Sequence, residues 1–467
     1  MQTKAKTGFF SRFIGDKAFY KLILGVTVPI MIQNGISNFV SMLDNIMVGQ
    51  IGTEQMSGVS IVNQLVFIYF LAIFGGMGGI GIFTAQYYGS NDQEGVRATF
   101  RAKFVLGLVL TAIAFVVLSV FGKELIGLYL NDSGDGSDLA ATLQYAESYL
   151  WIIFISFPAF FVLQVYASTL RACGETVLPM KAGIAAVLTN LLFNWLLIYG
   201  VWFFPKMGVQ GAAIATVLAR YVEMFIVVIY CHTHKEKHSF IVGVYRTLKI
   251  TKDQLKRFTL KGTPLLVNEV LWSVGMSFLL QCYSVRGLAV IAAFNISNTI
   301  SNMLSIVYFA MGDAVSIIVG QLLGAGKPEE AVDTDRKIIF FSVAFSLVTS
   351  VLMLVVAPFF PHLYNTTDDV RAIAGNLIRV GAFHTPIMAF CHCTYFTLRS
   401  GGKTIITFIF DSAFTWIVSV PIAFVLSRFT GWNVILIYIA VCAADLIKCV
   451  IGYMLVKRKV WVQNIVA

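Results

Sequence analysis

Apolar runs of roughly 20 residues recur along the whole chain, separated by short polar connections. A helix of that length covers the ~30 Å hydrocarbon layer of a bilayer, because it rises 1.5 Å per residue. A β-barrel would show alternating segments of about ten residues instead. Twelve membrane-spanning helices are therefore predicted, at residues 22–48, 58–85, 99–121, 146–169, 179–202, 208–231, 259–283, 288–320, 338–360, 376–398, 404–428 and 432–456.

The motifs of the first half return in the second half in the same order. Residues 169–176 read TLRACGET and residues 397–404 read TLRSGGKT, identical at five of eight positions. The other matched pairs are Pro29 and Pro264, Gln86-x-x-Gly89 and Gln321-x-x-Gly324, Pro158 and Pro386, and Trp195 and Trp416. The sequence therefore indicates an internal repeat of one six-helix unit. Six spans per copy place both copies in the same orientation, related by an axis along the membrane normal.

This repeat defines the predicted architecture: an all-α polytopic membrane protein with two pseudo-symmetric six-helix lobes. Residues 1–232 form the N-lobe with helices 1–6, residues 233–258 a cytoplasmic linker loop, and residues 259–467 the C-lobe with helices 7–12. We expect substrate to be handled between the lobes.

Composition agrees with a membrane location. Of 467 residues, 58% are hydrophobic and 12% are charged, against about 25% charged in a soluble domain. The net charge of +10 sits in alternate connections, including Lys4, Lys6, the run from 235 to 261, and Lys457. The positive-inside rule then predicts a multi-pass cell-membrane protein with both termini in the cytoplasm. No basic soluble domain suggests a nucleic-acid partner, and the seven scattered cysteines suggest no disulfide framework.

Ionisable residues inside the predicted spans are few, and each costs ~2.5–3.5 kcal/mol at the bilayer centre. Arg220 with Glu223, and Asp445 with Lys448, are i,i+3 neighbours, which we expect to neutralise each other on one helix face.

Glu269 and Asp44 have no such basic neighbour. Each could exchange a proton or bind a small cation, or could simply be hydrogen-bonded within the helix packing.

Amides and glycines form two further patterns. Asn190 and Asn194 lie on one face of the fifth span, and Asn34 and Asn38 on one face of the first. Amide oxygens suit hard cations, but polar side chains also hold helices together. The second span carries a glycine cluster at Gly75, Gly76, Gly78, Gly79 and Gly81, which permits hinging or close packing.

Catalytic motifs are missing from the sequence. His232, His234 and His238 fall in the charged central loop and are expected to be solvated. No His-Glu-x-x-His or P-loop motif is present. We therefore expect neither an enzyme nor a resident cofactor.

The ordered motifs resemble the multidrug and toxic compound extrusion (MATE) family over essentially the whole chain. They are Pro29 leading to Asp44, Gln86-x-x-Gly89, Asn190-x-x-x-Asn194, Pro264 leading to Glu269, and Pro-x(10)-Thr-Leu-Arg-x-x-Gly in each half. The resemblance implies a V-shaped pair of lobes that exports mostly cationic, amphipathic compounds in exchange for Na⁺ or H⁺. Expected partners are such small molecules and the bilayer, with the protein a monomer.

The resemblance also implies roles for individual residues. Asp44 matches the N-lobe carboxylate, with Asn190 and Asn194 as polar partners, and Glu269 matches the C-lobe cation site. A tenth-span Asp that helps form this site in the NorM-like branch is replaced here by Met388. Other oxygens, from Asn295 or Asp411, are then expected to complete the site, and H⁺ is slightly favoured over Na⁺.

Three other functions remain open from sequence. A flippase for lipid-linked oligosaccharides belongs to the same superfamily, but would favour a wide cavity rich in basic residues. A membrane-embedded enzyme would transform its substrate without a gradient, and a passive channel would show flux without counter-ion dependence.

Overall fold

The computed structural model describes residues 12–130, 138–247, 250–364 and 366–467, so Lys4 and Lys6 lie outside the described residues. We number the spans α1 to α12. They are α1 Lys17–Gly49, α2 Thr53–Gly89, α3 Gln93–Gly127, α4 Leu139–Ile153 with Ser156–Ala172, α5 Val177–Tyr199, α6 Gly208–Thr233, α7 Lys252–Ser284, α8 Leu288–Ala314 continuing to Gly324, α9 Pro328–Val356, α10 Asp368–Ser400, α11 Thr404–Phe408 continuing to Phe429, and α12 Val434–Lys457.

These helices confirm the predicted all-α membrane fold and its twelve spans. Within the described ranges, ten helices are long and apolar enough to cross a membrane, and the two segments of α4 together make an eleventh. The remaining helix, α10, has 33 residues, and its charged residues and two histidines lower its hydropathy. Several helices begin earlier than predicted, because charged first turns interrupt an apolar run without ending a helix.

Two helices depart from straight α-geometry for local reasons. The two segments of α4 meet at an angle of 49°. Pro158 lies at the start of the second segment; it has no N–H to donate to the carbonyl of Phe154, four residues earlier, and its ring would clash with that carbonyl in a straight helix. In α11, π-helical turns occupy Ile409–Ala413 and Thr415–Ser419. Such turns are frequent at functional sites, and Asp411 lies in the first of them.

The Thr-Leu-Arg-x-x-Gly repeat ends a helix in the same way in both halves. Gly174 and Gly402 adopt left-handed φ values of 86° and 72°. The next residue closes a bond back across the turn, from Glu175 N to Leu170 O and from Lys403 N to Leu398 O. This is the Schellman motif, in which glycine adopts left-handed backbone most readily. The repeated glycine is therefore explained by helix termination.

The chain folds as two compact units. One comprises the described part of Met1–Met31, Ala85–Asp92 and Thr263–Ala467, and the other comprises Ile32–Thr84 and the described part of Gln93–Gly262. In the first unit, the Gln86 side chain binds the last residues of the chain, donating to Gln463 O at 3.1 Å and accepting from Ile465 N at 2.8 Å. The C-terminal segment is therefore an integral part of this unit.

The central loop packs onto the second unit. Phe240 and Val244 are buried, and Arg101 of α3 donates to Val244 O at 2.9 Å. His238 is also buried, so its predicted solvation is wrong; the loop folds back on aromatic neighbours instead of extending into water.

A salt bridge also ties the central loop to the turn after α4. Lys237 Nζ lies 2.8 Å from the carboxylate of Glu175. Burial opposes ionisation of Glu175, but the hydrogen bond and charge of Lys237 outweigh it and lower the pKa of this carboxyl.

Candidate functional site

The second unit holds Asp44 among amides of α5. Asn194 Nδ2 donates to Asp44 Oδ1 at 2.6 Å. With its amide nitrogen facing the carboxylate, Asn190 donates to the same oxygen at 2.7 Å. Asn190 and Asn194 are one turn apart on α5 and are both buried, so a single helix face presents two donors to one carboxylate. The structure thus joins three of the residues predicted from sequence.

A partly buried ion pair accompanies this cluster. Arg220 Nη1 lies 3.3 Å from Glu223 Oε2 on α6, so the predicted i,i+3 pair is confirmed. The guanidinium also lies over the rings of Phe70 and Phe160, at 5.8 and 5.4 Å from their centroids. The Arg220 guanidinium therefore contacts Glu223 and two aromatic rings, and its positive charge also acts on Asp44.

The first unit holds Glu269 in a hydrogen-bonded chain. Tyr395 Oη donates to Glu269 Oε1 at 3.1 Å. Asn268 Nδ2 donates to Tyr395 Oη at 3.3 Å and to Asp411 Oδ2 at 3.1 Å. Ser412 then donates from its hydroxyl to Asn268 Oδ1 at 2.7 Å, which fixes the amide orientation. Glu269 and Asp411 are thus linked through two neutral side chains.

The acidic residues of α11 and α12 each have a basic partner on another helix. Lys448 Nζ lies 2.8 Å from Asp411 Oδ1, and His384 Nε2 lies 2.8 Å from Asp445 Oδ2. The predicted pairing of Asp445 with Lys448 is therefore wrong. Side chains three residues apart are separated by about 60° around a helix, and here that angle directs them to different neighbours.

Comparison with known proteins identifies the family of the chain. The sequence model of the MatE family matches residues 29–196 and 264–425. The chain belongs to this family. Among curated relatives, it is similar to the probable multidrug resistance protein YoeA of Bacillus subtilis, 24% identical over 431 residues and 91% of each chain. It is also similar to the probable multidrug resistance protein NorM of Thermotoga maritima, 21% identical over 88% of this chain and 86% of the relative.

Solved structures of the MATE family share the fold. One, an outward-facing multidrug resistance MATE family transporter of the MOP superfamily, superposes with a TM-score of 0.83 at 19% identity over 98% of each chain. Together with the family match, this fold makes the protein a multi-pass membrane transporter.

Not every predicted site residue of this MATE chain joins a cluster. Asn38 and Asn295 are exposed and Asn34 is half-buried. Among the described residues, no hydrogen bond connects Asn34 or Asn38 to Asp44, or the Asn295 side chain to Glu269. Nor does any group of three His, Cys, Asp or Glu side chains in these ranges have the proximity to hold a metal ion.

Four buried charged residues in the described part of the chain were missed from sequence, and two of them, Lys103 and Asp335, are almost completely inaccessible. Lys103 on α3 donates to Thr169 Oγ1 at 3.2 Å, and Asp335 on α9 accepts from Thr397 Oγ1 at 2.6 Å. Lys103 lies near the start of the predicted span 99–121, where its charge reads as a continuation of the basic connection that precedes the span. The signal available in the sequence was the repeated threonine, Thr169 in one copy and Thr397 in the other, which provides a hydroxyl partner for a buried charge on a neighbouring helix.

Proposed function

We propose that this chain exports cationic, amphipathic compounds across the cell membrane in exchange for H⁺ or Na⁺. The observation that carries the proposal is the setting of Glu269. Its hydrogen bond comes from a neutral hydroxyl, and no ion pair to it is formed by the described residues. A carboxylate held in this way is available to an exchangeable cation. The names of the curated relatives support drug-like substrates.

Exchange follows if substrate and coupling ion stabilise different states of the transporter. Each ligand shifts the equilibrium only by its difference in affinity for those states. A proton or sodium ion at Glu269 would favour the state that releases substrate, and loss of that ion would favour the state that binds it. Aromatic residues form 14% of the chain, and the faces of their rings would hold flat cations by cation–π contact.

Of the two coupling ions, H⁺ is favoured. Sodium prefers several oxygen ligands, and the expected additional carboxylate, Asp411, is already paired with Lys448. The tenth-span position that holds an Asp in the NorM-like branch is Met388 here, and its side chain offers no oxygen ligand. Glu269 is then left as a single carboxylate, which suffices for one proton.

The rest of the proposal follows from the basic connections and the family. The protein would lie in the cell membrane with both termini in the cytoplasm. It would act as a monomer, and would carry out no chemical step on its substrate.

The proposal is tested by ethidium efflux from proteoliposomes containing the purified protein. A pH gradient and a Na⁺ gradient are imposed separately, with matched osmolarity and clamped membrane potential. Export driven by the pH gradient alone is expected. Export driven by Na⁺ alone would reassign the coupling ion. No response to either gradient would contradict antiport of this substrate and direct the next assay to lipid-linked oligosaccharides.

A further inference from the structure

Lys448 is a buried ammonium group next to the proposed coupling site. It lies on α12, 2.8 Å from Asp411 Oδ1. Its Nζ also lies over the rings of Phe410 and Phe414, at 5.3 and 6.0 Å from their centroids. Only 7% of the residue is accessible. A charge in this position requires a partner, and Asp411 with two aromatic faces provides one.

Glu269 is close enough to this pair to be affected by its charge. Asn268 directly precedes Glu269 on α7, and its side-chain amide donates a hydrogen bond to Asp411 Oδ2 at 3.1 Å. Tyr395 contacts both Asn268 and Glu269. The other titratable groups that face the cluster are Cys391, His392 and Arg399 on α10, and Cys449 and Asp445 on α12, the last of which is paired with His384.

We propose that Lys448 is a built-in counter-cation of this site. Its ammonium occupies the position at Asp411 that a free cation would otherwise take. Among Glu269, Asp411 and Lys448, one carboxylate instead of two is then left without an ion pair, although the charge of Arg399 also acts on Glu269. This limits the site to one monovalent charge and disfavours sodium, which would gain from a second carboxylate oxygen. The inference rests on the proposed function of Glu269 as the coupling carboxylate.

The inference makes a testable statement about cation affinity. If Lys448 excludes a cation from Asp411, replacing it by a neutral side chain should create a two-carboxylate site. The oxygens of Glu269, Asp411 and Tyr395 would then be available to Na⁺. Asn268 Oδ1 would not be, since it already accepts from Ser412.

The experiment measures equilibrium ²²Na⁺ binding to purified protein in nanodiscs, at fixed pH and with choline as the balancing cation. Lys448→Gln is expected to bind Na⁺ about tenfold or more tightly than the unmodified protein, because the charge of the Asp411 carboxylate is then no longer neutralised by an ammonium group. The double variant Lys448→Gln with Asp411→Asn should return to the starting affinity. Lys448→Arg, which retains the charge, should also remain near it.

A second single variant, Asp411→Asn, should change the Na⁺ affinity in the opposite direction to Lys448→Gln. It tests the inference even if Lys448→Gln does not fold. Asp411→Asn leaves the ammonium of Lys448 without its carboxylate, beside Glu269. It should bind Na⁺ more weakly than the unmodified protein.

Three outcomes would overturn the inference: equal affinity in Lys448→Gln and the unmodified protein, tight binding retained in the double variant, or unchanged affinity in Asp411→Asn. Because binding is measured without transport, a failure of the efflux assay would overturn antiport and leave this comparison intact.

Discussion

Replacing Glu269 by Gln removes the charge of the proposed coupling site and little else. A glutamine amide has nearly the same shape, and its oxygen can still accept the 3.1 Å hydrogen bond from Tyr395. The neighbouring bonds of Asn268 to Tyr395 and Asp411 do not involve Glu269. We therefore expect the free energy of unfolding to change by less than about 1 kcal/mol, the scale of one neutral hydrogen bond.

The effect on the coupling ion should be larger. An interaction with a charged partner contributes ~1.5–3 kcal/mol, and each 1.4 kcal/mol is tenfold in affinity. If the coupling ion is Na⁺, Glu269→Gln should therefore weaken its binding at this site about 10- to 100-fold. If the coupling ion is H⁺, its binding should be lost altogether, because a glutamine amide does not take up a proton in this pH range. At the ion concentrations of the efflux assay, gradient-driven export should then disappear.

The assay compares initial rates of ethidium efflux over a series of ion gradients, with thermal unfolding as a check of the fold. Glu329→Gln is the matched control. It is the same substitution at an exposed residue of the same unit, 3.6 Å from Lys459, where a surface pair contributes ~0–1 kcal/mol. A folded Glu269→Gln protein that exports with the half-saturating ion concentration of the unmodified protein would refute the assignment of Glu269.

Three further predictions concern Asp44, helix packing and the central loop. Asp44→Asn should reduce gradient-driven efflux without abolishing it, and full efflux would remove Asp44 from the coupling machinery. Gly79→Ala should lower the unfolding temperature, because a Cβ there would lie 2.4 Å from Gly262 Cα, whereas Gly81→Ala, with nothing within 4 Å, should not; equal shifts would contradict close packing as the role of Gly79. Burial lowers the pKa of His238, although the nearby Glu175 charge partly opposes this. The loop contact is therefore fully stable above the ordinary histidine pKa of ~6.5 and weakens as pH falls below it. The hydrogen-exchange protection factors of residues 239–246, which correct for the pH dependence of intrinsic exchange, should fall between pH 7.5 and pH 5.5 by more than they fall in His238→Gln. An equal fall in both proteins would contradict it.

Helix number and helix ends were predictable because they depend on local properties. A length of about 20 apolar residues identifies a span wherever it occurs. The glycines of the repeated Thr-Leu-Arg-x-x-Gly motif identify a helix end, since Gly174 and Gly402 both adopt left-handed backbone. These features need no information about neighbouring helices. The α4 bend at Pro158 belongs to the same class.

Ion-pair partners were less predictable, since they depend on which helices are adjacent. The rule that residues three apart interact succeeded for Arg220 and Glu223. It failed for Lys448, whose partner Asp411 lies 37 residues away. Asn194 and Asp44 are 150 residues apart, and only the family resemblance brought them together before the fold was known. Sequence spacing supplies the candidates, and packing decides between them.

The repeat preserves the geometry of the helix-ending turn but not the charge beside it. Thr169 and Thr397 occupy the same position of the repeated motif, one residue before the leucine. Thr169 accepts a hydrogen bond from the buried ammonium of Lys103, whereas Thr397 donates one to the buried carboxylate of Asp335. A hydroxyl can serve either partner because it both donates and accepts.

The proposed coupling sites differ between the halves in a similar way. Asp44 is held by neutral amides, while the site around Glu269 includes a complete Lys–Asp pair. An internal repeat therefore predicts where helices end and which positions face each other, but the electrostatics of each half must be determined separately. Two halves with the same repeated helix-ending motif can then hold different numbers of exchangeable cations, which a symmetric reading of the sequence would not reveal.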